Sequence, residues 1–146
     1  MGSCEDENQD TDVYFPKSSF EESMLNCQAL GGILPFPESQ SEAKMQVDLV
    51  KNNMENPSEW NVMWVPLKKD FNDISQVYHY TGAWKYYLDK IEPDLLEWAP
   101  GQPNGELLES CVGIFTSDDT PAFYDLECSY IGDSLCRFKT VTLFQI

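Results

Sequence analysis

Apolar positions recur along this chain with two different spacings. Between Ser19 and Met54 they follow a helical period, and from Trp60 onward they alternate or run together as strands do. Val13-Tyr14-Phe15 opens as a short strand, which Pro16 is expected to stop. Ser19-Phe20-Glu21-Glu22 has the form of a capping box, in which a Ser hydroxyl and a Glu carboxylate satisfy each other's backbone N–H groups. Phe20, Met24 and Cys27 then fall at i, i+4 and i+7, the stripe of an amphipathic helix that Gly31-Gly32 ends, so Cys27 belongs to its buried face. Ser39-Gln40-Ser41-Glu42 repeats the capping box. Ala43, Val47, Val50 and Met54 continue at helical spacing, and Asn52, Asn53 and Pro57 close this second helix.

The second half reads as strands. Trp60 to Leu67 is a buried strand, Lys68 to Ser75 a polar loop, and Val77 to Tyr80 and Ala83 to Leu88 are two strands joined across Gly82. Pro93, Pro100, Gly101, Pro103 and Gly105 make residues 89–110 mostly loop, a length that usually signals function or disorder. Trp98 within it argues against disorder. Cys111 to Thr116, Ala122 to Cys128 and Ser134 to Phe138 return to strand, and Thr140 to Ile146 is a further strand or a linker. Two helices followed by a β-rich half make the fold class α+β.

Composition narrows the function. The 146 residues suit one domain, and 42% apolar with 13% aromatic is too rich for disorder. Nine Lys and Arg against 25 Asp and Glu leave a formal charge of −16, which excludes an unaided nucleic-acid binder and disfavours anionic membranes. The same charge permits cation binding. There is no apolar run of the roughly 18 residues needed for a membrane span, so direct membrane insertion by this segment is not expected. Residues 1–12 are an acidic lead, carrying Glu5, Asp6, Glu7, Asp10 and Asp12, expected to be a solvated, frayed terminus. Its Met1-Gly2-Ser3 is read as a cloning remnant, and the chain as a domain cut from a larger extracellular protein.

Cysteines lie at 4, 27, 111, 128 and 136, with no CxxC pair and one histidine, His79, so a structural zinc site has few ligands to draw on. The last four make better sense as two disulfides in an oxidising compartment, with three possible connectivities, and Cys4 is left over.

A set of motifs in order then resembles the C-type lectin-like domain. They are the helix with Cys27 and Gly31-Gly32-Ile33-Leu34, Pro37 ahead of the second helix, and Trp64-Val65-Pro66-Leu67 where the family has its W-I-G-L strand. Next come Trp98-Ala99-Pro100-Gly101-Gln102-Pro103-Asn104-Gly105, Glu109-Ser110-Cys111-Val112, and Tyr124-Asp125-Leu126-Glu127-Cys128 ahead of Leu135-Cys136-Arg137-Phe138. The resemblance covers residues 13–138, with 139–146 a terminal strand or a linker to a following domain. It implies two helices flanking antiparallel sheets with a long ligand-binding loop, and the disulfides Cys27–Cys136 and Cys111–Cys128.

It also implies a calcium ion at the long loop, whose remaining coordination positions are taken by sugar hydroxyls. Calcium takes six to eight oxygens in flexible geometry, so vicinal hydroxyls can replace its waters. By motif, Gln102 and Asn104 would be the oxygens of the Glu/Gln-Pro-Asn/Asp triplet, Glu109 the later Glu, and Asp125 the strand Asp. The pattern departs at Tyr124, which replaces the family's Asn and cannot present an amide to ion or sugar. Phe123 replaces the preceding Trp, and the neutral Gln102 replaces the Glu of mannose-type members. Calcium binding is therefore expected to be weak or absent. At the lip of the site Tyr124 would either stack on a sugar ring or plug the site. Asp70 and Asp73 are expected to be solvated rather than to hold a second ion.

Competing chemistry is thin. There is no H-E-x-x-H, G-x-S-x-G or Walker motif, and no enzyme is expected. His79 is read as a structural histidine on a strand, Asp118-Asp119 as turn formers, and Trp60, Trp64, Trp84 and Trp98 mostly as core and loop packing. Tyr86, Tyr87 and Tyr130 are better candidates for an exposed protein-binding face. Two function classes remain. One is an extracellular recognition module that binds a glycan or glycoprotein with calcium, through Gln102, Asn104, Glu109, Tyr124 and Asp125. The other is a calcium-independent protein–protein interaction domain of an adhesion protein or receptor ectodomain.

Overall fold

Residues 10–54, 61–70, 73–80, 85–88, 98–102 and 110–139 are described by the computed structural model. The elements run β1 (Asp10–Ser18), α1 (Phe20–Ala29), α2 (Gln40–Asn53), β2 (Val62–Asp70), β3 (Asp73–Tyr80), β4 (Lys85–Leu88), β5 (Cys111–Phe115), β6 (Tyr124–Leu126) and β7 (Gly132–Lys139). The strands join as β1-β7-β2-β3-β4, with β5 branching from β2 and carrying β6. The pairings are antiparallel except for one parallel bridge, Met63↔Asp133, between β2 and β7.

Both helices begin as their sequences dictate, though not identically. At α1 the Ser19 hydroxyl accepts from the Glu22 N–H, and the Glu22 carboxylate accepts from the Ser19 N–H at 3.1 Å, a complete capping box. These bonds, from the Ser19 backbone N–H first and its hydroxyl second, hold the Glu22 carboxyl below the usual carboxylate range. At α2 the Ser39 hydroxyl accepts from the Glu42 N–H at 3.1 Å. The expected reciprocal bond is not made, because the Glu42 carboxylate accepts from Gln46 Nε2 at 3.2 Å and faces Arg137. A bond to the next turn of the same helix, with Arg137 facing it, has replaced the cap bond. Helix α1 ends in a Schellman motif. Gly31, at φ +87°, sends its N–H to Gln28 O, and the Gly32 N–H reaches Cys27 O.

Strand β2 explains why its sequence reads as a continuous apolar run. Met63, Val65 and Leu67 point into a core with Ala43, Val47 and Val50 of α2, joined by Val112, Ile114, Phe123 and Leu135. Val62 and Trp64 point to the other face, into a second core with Phe20 and Met24 of α1, Leu34, Cys111 and Leu126. Successive side chains leave a strand on opposite faces, so a strand covered on both sides has no polar positions to show. Disulfides link Cys27 to Cys136 and Cys111 to Cys128, as the resemblance implies.

Four expectations need correction. Pro16 does not stop β1. The register slips between Phe15↔Ser134 and Ser18↔Gly132, and β1 is an edge strand, so the missing N–H falls at a bulge. Pro66 sits at a similar slip in β2, between Val65↔Val112 and Lys68↔Cys111. Residues 10–12 are not frayed, since they pair with Lys139, Phe138 and Arg137 across β1–β7. Lys68 to Ser75 is not all loop either: β2 continues to Asp70 and pairs with β3 through Leu67↔His79, Lys68↔Tyr78, Lys69↔Val77 and Asp70↔Asp73. An antiparallel ladder is held by its backbone bonds, so polar side chains do not forbid it. Finally, β6 is confined to Tyr124–Leu126, shorter than the expected Ala122 to Cys128.

Trp64 is buried, and Trp98 is half-buried against the α2-side core, as expected of packing residues. His79 lies on β3, and Tyr86 and Tyr87 on β4. Tyr130 is half-buried against the α1-side core rather than fully exposed. Cys4, Trp60, Gly82, Trp84 and residues 140–146 lie outside the described residues. No described helix is long and apolar enough to cross a membrane.

Candidate functional site

Among the described residues the edge of β6 away from β5 pairs with no strand, and beside it lies the described part of the long loop. Trp98 bridges to Phe123 in parallel, and the Ala99 N–H donates to Phe123 O at 2.9 Å. The chain then turns. Gly101 has φ +81° and the Gln102 N–H donates to Ala99 O at 2.9 Å, which with Pro100 at the second position is a type II turn. The proline presets the turn's first φ and the glycine supplies the left-handed residue. Strand-like pairing before the turn and closure after it aim Gln102 back at β6. There Gln102 Oε1 accepts from the Asp125 N–H in a long bond of 3.4 Å.

Asp125 pairs with Val112 of β5, on the face that carries Ile114 and Phe123, and is 2% exposed. The half-buried Gln102 amide oxygen thus meets the backbone of a residue whose carboxylate side chain is buried. Both are hard oxygen donors of the kind calcium selects, and an amide oxygen that accepts one bond keeps a second lone pair. The described residues thus fit a cation in donor type, while no group of three or more His, Cys, Asp or Glu gathers among them. Asn104 and Glu109, the other two expected ligands, lie outside the described residues, as does Pro103. The Cys111–Cys128 disulfide staples the start of β5 to the chain just beyond β6, and the Phe20 N–H donates to Cys128 O at 3.1 Å. The edge is thereby tied to the N-terminus of α1.

Tyr124 is not brought to Gln102 and Asp125. It pairs with Gly113 and packs toward the α1-side core. Its ring meets Phe115 edge-on at 4.5 Å, and its hydroxyl donates to Asp118 Oδ2 at 2.8 Å. Burial first, then the Asp118 hydrogen bond and charge, push its phenol pKa up. Alternation along β6 is the reason, because neighbours at 124 and 125 must leave on opposite faces. The Asp118 backbone N–H bonds back to Phe115 O, consistent with a turn former. Sequence reasoning missed the Ala99–Phe123 clamp and the aiming role of the turn. The Pro100-Gly101 dipeptide was the available signal. It also missed Asp118 as the partner of Tyr124, for which no local signal exists.

No protein-family model and no curated protein matches the sequence. Solved structures do. The C-type lectin domain of murine dendritic cell inhibitory receptor 2, in complex with N-glycan, is 21% identical with a TM-score of 0.58, covering 94% of this chain and 99% of that one. The C-type lectin CEL-I from Cucumaria echinata is 14% identical with a TM-score of 0.64, covering 93% and 97%. A Ca2+-dependent type II antifreeze protein in its Ca2+-free form is 15% identical with a TM-score of 0.60, covering 92% and 99%. At these identities the likeness concerns the fold: the chain folds as a C-type lectin-like domain.

Proposed function

We propose that this C-type lectin-like domain is an extracellular recognition module that binds a glycan with the help of calcium at the edge of β6 away from β5. Gln102 and Asn104 would offer side-chain oxygens and Glu109 and Asp125 carboxylates, and the ion would present open positions to vicinal hydroxyls. The observation that carries the reading is the turn that brings the Gln102 amide oxygen to the backbone N–H of Asp125, the residue that carries the buried carboxylate. A murine C-type lectin domain of the same fold in complex with N-glycan supports a sugar as the ligand. Only two formal negative charges stand among these four residues, so the affinity belongs in the weak range of about 10⁻⁴ to 10⁻³ M found in extracellular modules. Two disulfides support the extracellular setting. The module runs from β1 through β7. Its chemistry is binding, not catalysis.

A second reading, a calcium-independent protein-interaction domain, is favoured by Tyr124. It removes an amide from the family's ligand set and commits its hydroxyl to Asp118.

Thermal melts in excess calcium and in EDTA separate the two. With a Kd near 1 mM, about 10 mM calcium stabilises the native state by roughly 1.4 kcal/mol, a rise in Tm of a few degrees. Asp125→Ala abolishes that rise and Tyr124→Asn leaves or strengthens it. An unchanged Tm for the parent chain overturns the calcium reading, and a glycan array run with and without EDTA then tests sugar binding directly.

A further inference from the structure

We propose that the Cys111–Cys128 disulfide is a reducible latch on the β6 edge, opened by an external dithiol that attacks Cys128. Its position gives it leverage there. Cys111 opens β5, where the long loop ends, and Cys128 lies two residues past the end of β6. The bond therefore closes the chain around the strand pair in which Val112 meets Asp125.

The two disulfides differ in what surrounds them. Cys27 is 1% exposed and Cys136 0%. A Cβ on Gly32 would fall 2.5 Å from Cys136 Sγ, so backbone packs directly on that sulfur. Cys111 is sealed as well, at 0%. Of the four, Cys128 alone is half-buried, at the margin of the α1-side core. A thiolate attacks one sulfur of a disulfide and expels the other, and access decides which sulfur it reaches. On this domain the attacked sulfur is Cys128 and the leaving sulfur is Cys111. Ser110 stands beside the attacked one, with Oγ 3.2 Å from Cys128 Sγ. A disulfide sulfur carries no hydrogen, so the hydroxyl is the donor, and it remains placed to hold Cys128 as a thiolate.

The exchange balances. The first thiolate of the dithiol bonds to Cys128 Sγ, and Cys111 leaves with the electron pair of the broken bond and takes up a proton. The second thiolate then attacks the reductant's own sulfur in the mixed disulfide and expels Cys128. The domain gains two thiols, and the dithiol becomes a disulfide.

Once open, β6 keeps its three pairs with β5 and the Ala99–Phe123 clamp. The Phe20 N–H bond to Cys128 O, which ties the edge to α1, loses the covalent anchor beside it. Reduction thus loosens the strand that carries Asp125, while the β1–β7 ribbon stays closed by Cys27–Cys136. Any effect on ligand binding rests on the reading of this edge as the recognition site; the latch itself does not.

The test treats the native chain with dithiothreitol in the absence of denaturant, after blocking Cys4 with iodoacetamide. N-ethylmaleimide quenches the reaction, and peptide mass spectrometry locates the labels. Cys111 and Cys128 should be labelled together, at least about tenfold faster than Cys27 and Cys136, because a sealed pair reacts only through opening of the fold. Brief treatment with glutathione, a monothiol, should place its adduct on Cys128. Hydrogen exchange of the partly reduced chain should quicken at the Phe20, Ala99 and Asp125 amides and stay unchanged across β1–β7. Labelling of all four cysteines in step, earlier opening of Cys27–Cys136, an adduct on Cys111, or unchanged exchange at Ala99 and Asp125 each overturn the proposal. A parent chain whose melt ignores calcium but whose labels follow the expected order overturns the calcium reading and supports the latch.

Discussion

The β1–β7 ribbon and the edge of β6 away from β5 are both antiparallel β structure, yet they are held in different ways. The ribbon pairs six consecutive residues, from Asp10↔Lys139 to Phe15↔Ser134, before its bulge. It is then locked by Cys27–Cys136, by the two Arg137–Asp12 bonds, and by Tyr14 donating to the buried Asp133 at 2.7 Å. Asn61 reaches the second oxygen of the same Asp133 at 3.3 Å. On its far side β7 pairs with Ile33. Among the described residues, the β6 edge shows three strand pairs, one loop clamp, one turn, the long Gln102–Asp125 bond, the Tyr124–Asp118 bond and the Cys111–Cys128 disulfide. Redundant constraint gathers at the end that closes the domain. The described part of the edge that carries the candidate ligands is held through one loop segment instead, the kind of placement in which recognition loops sit on a rigid scaffold.

The sharpest way to break this comparison is to open each disulfide. Cys27–Cys136 spans 109 residues and Cys111–Cys128 spans 17, so chain entropy assigns them about 4.8 and about 3.1 kcal/mol. Denaturant midpoints of the two Cys→Ala double variants should fall in that order. The reverse order would mean that native-state strain or residual structure in the unfolded chain, and not loop length, sets the two values.

Two glycines sharpen the contrast at smaller cost. A Cβ on Gly32 would lie 2.5 Å from Cys136 Sγ and 2.9 Å from Arg137 O, atoms fixed by a disulfide and a ladder. Gly32→Ala should therefore lose about 2–3 kcal/mol by overpacking. Gly101 has open space around it but φ +81°, so Gly101→Ala should lose only about 1 kcal/mol of stability. By displacing Gln102, it should also weaken any calcium response. A Gly101→Ala chain that melts lower than Gly32→Ala would contradict the assignment of rigidity to the β7 side.

The smallest effect lies in the helix caps. Ser19→Ala should cost about 1 kcal/mol, and more than Ser39→Ala, because only the α1 box is reciprocal. Acid should narrow that gap. The folded Glu22 pKa is lowered, so its contribution is present above the ordinary value of 4.5 and fades as pH falls through the lower folded value. Melts from pH 7 down to about pH 3 read this directly, and Glu22→Gln should flatten the difference.

How legible the site was depended on whether its parts are local. Gln102 and Asp125 stand out by motif, yet their meeting requires the Ala99–Phe123 clamp, a contact between segments with no sequence proximity. Tyr124 illustrates the converse. Its identity marks a departure from the family pattern, but which way it points follows from the pairing of β6 with Gly113. Asp12 reads as one acid in an acidic run, and only the β1–β7 register sets it opposite Arg137.

By itself the sequence determined the helix starts, the α1 stop, the α+β order and the apolar strand that both cores share. These rest on short-range physics: a hydroxyl three residues from an N–H, a glycine free to take positive φ, a period of two or of 3.6. Tertiary structure alone decided that Pro16 and Pro66 could sit inside strands, because a bulge excuses a missing N–H only where the partner's register slips. It decided too that Arg137 would face Glu42, and that Gln102 would meet the Asp125 backbone N–H while Tyr124 turned away. Each of those outcomes is set by which strand lies beside which, and that is a property of the assembled sheet rather than of any segment within it.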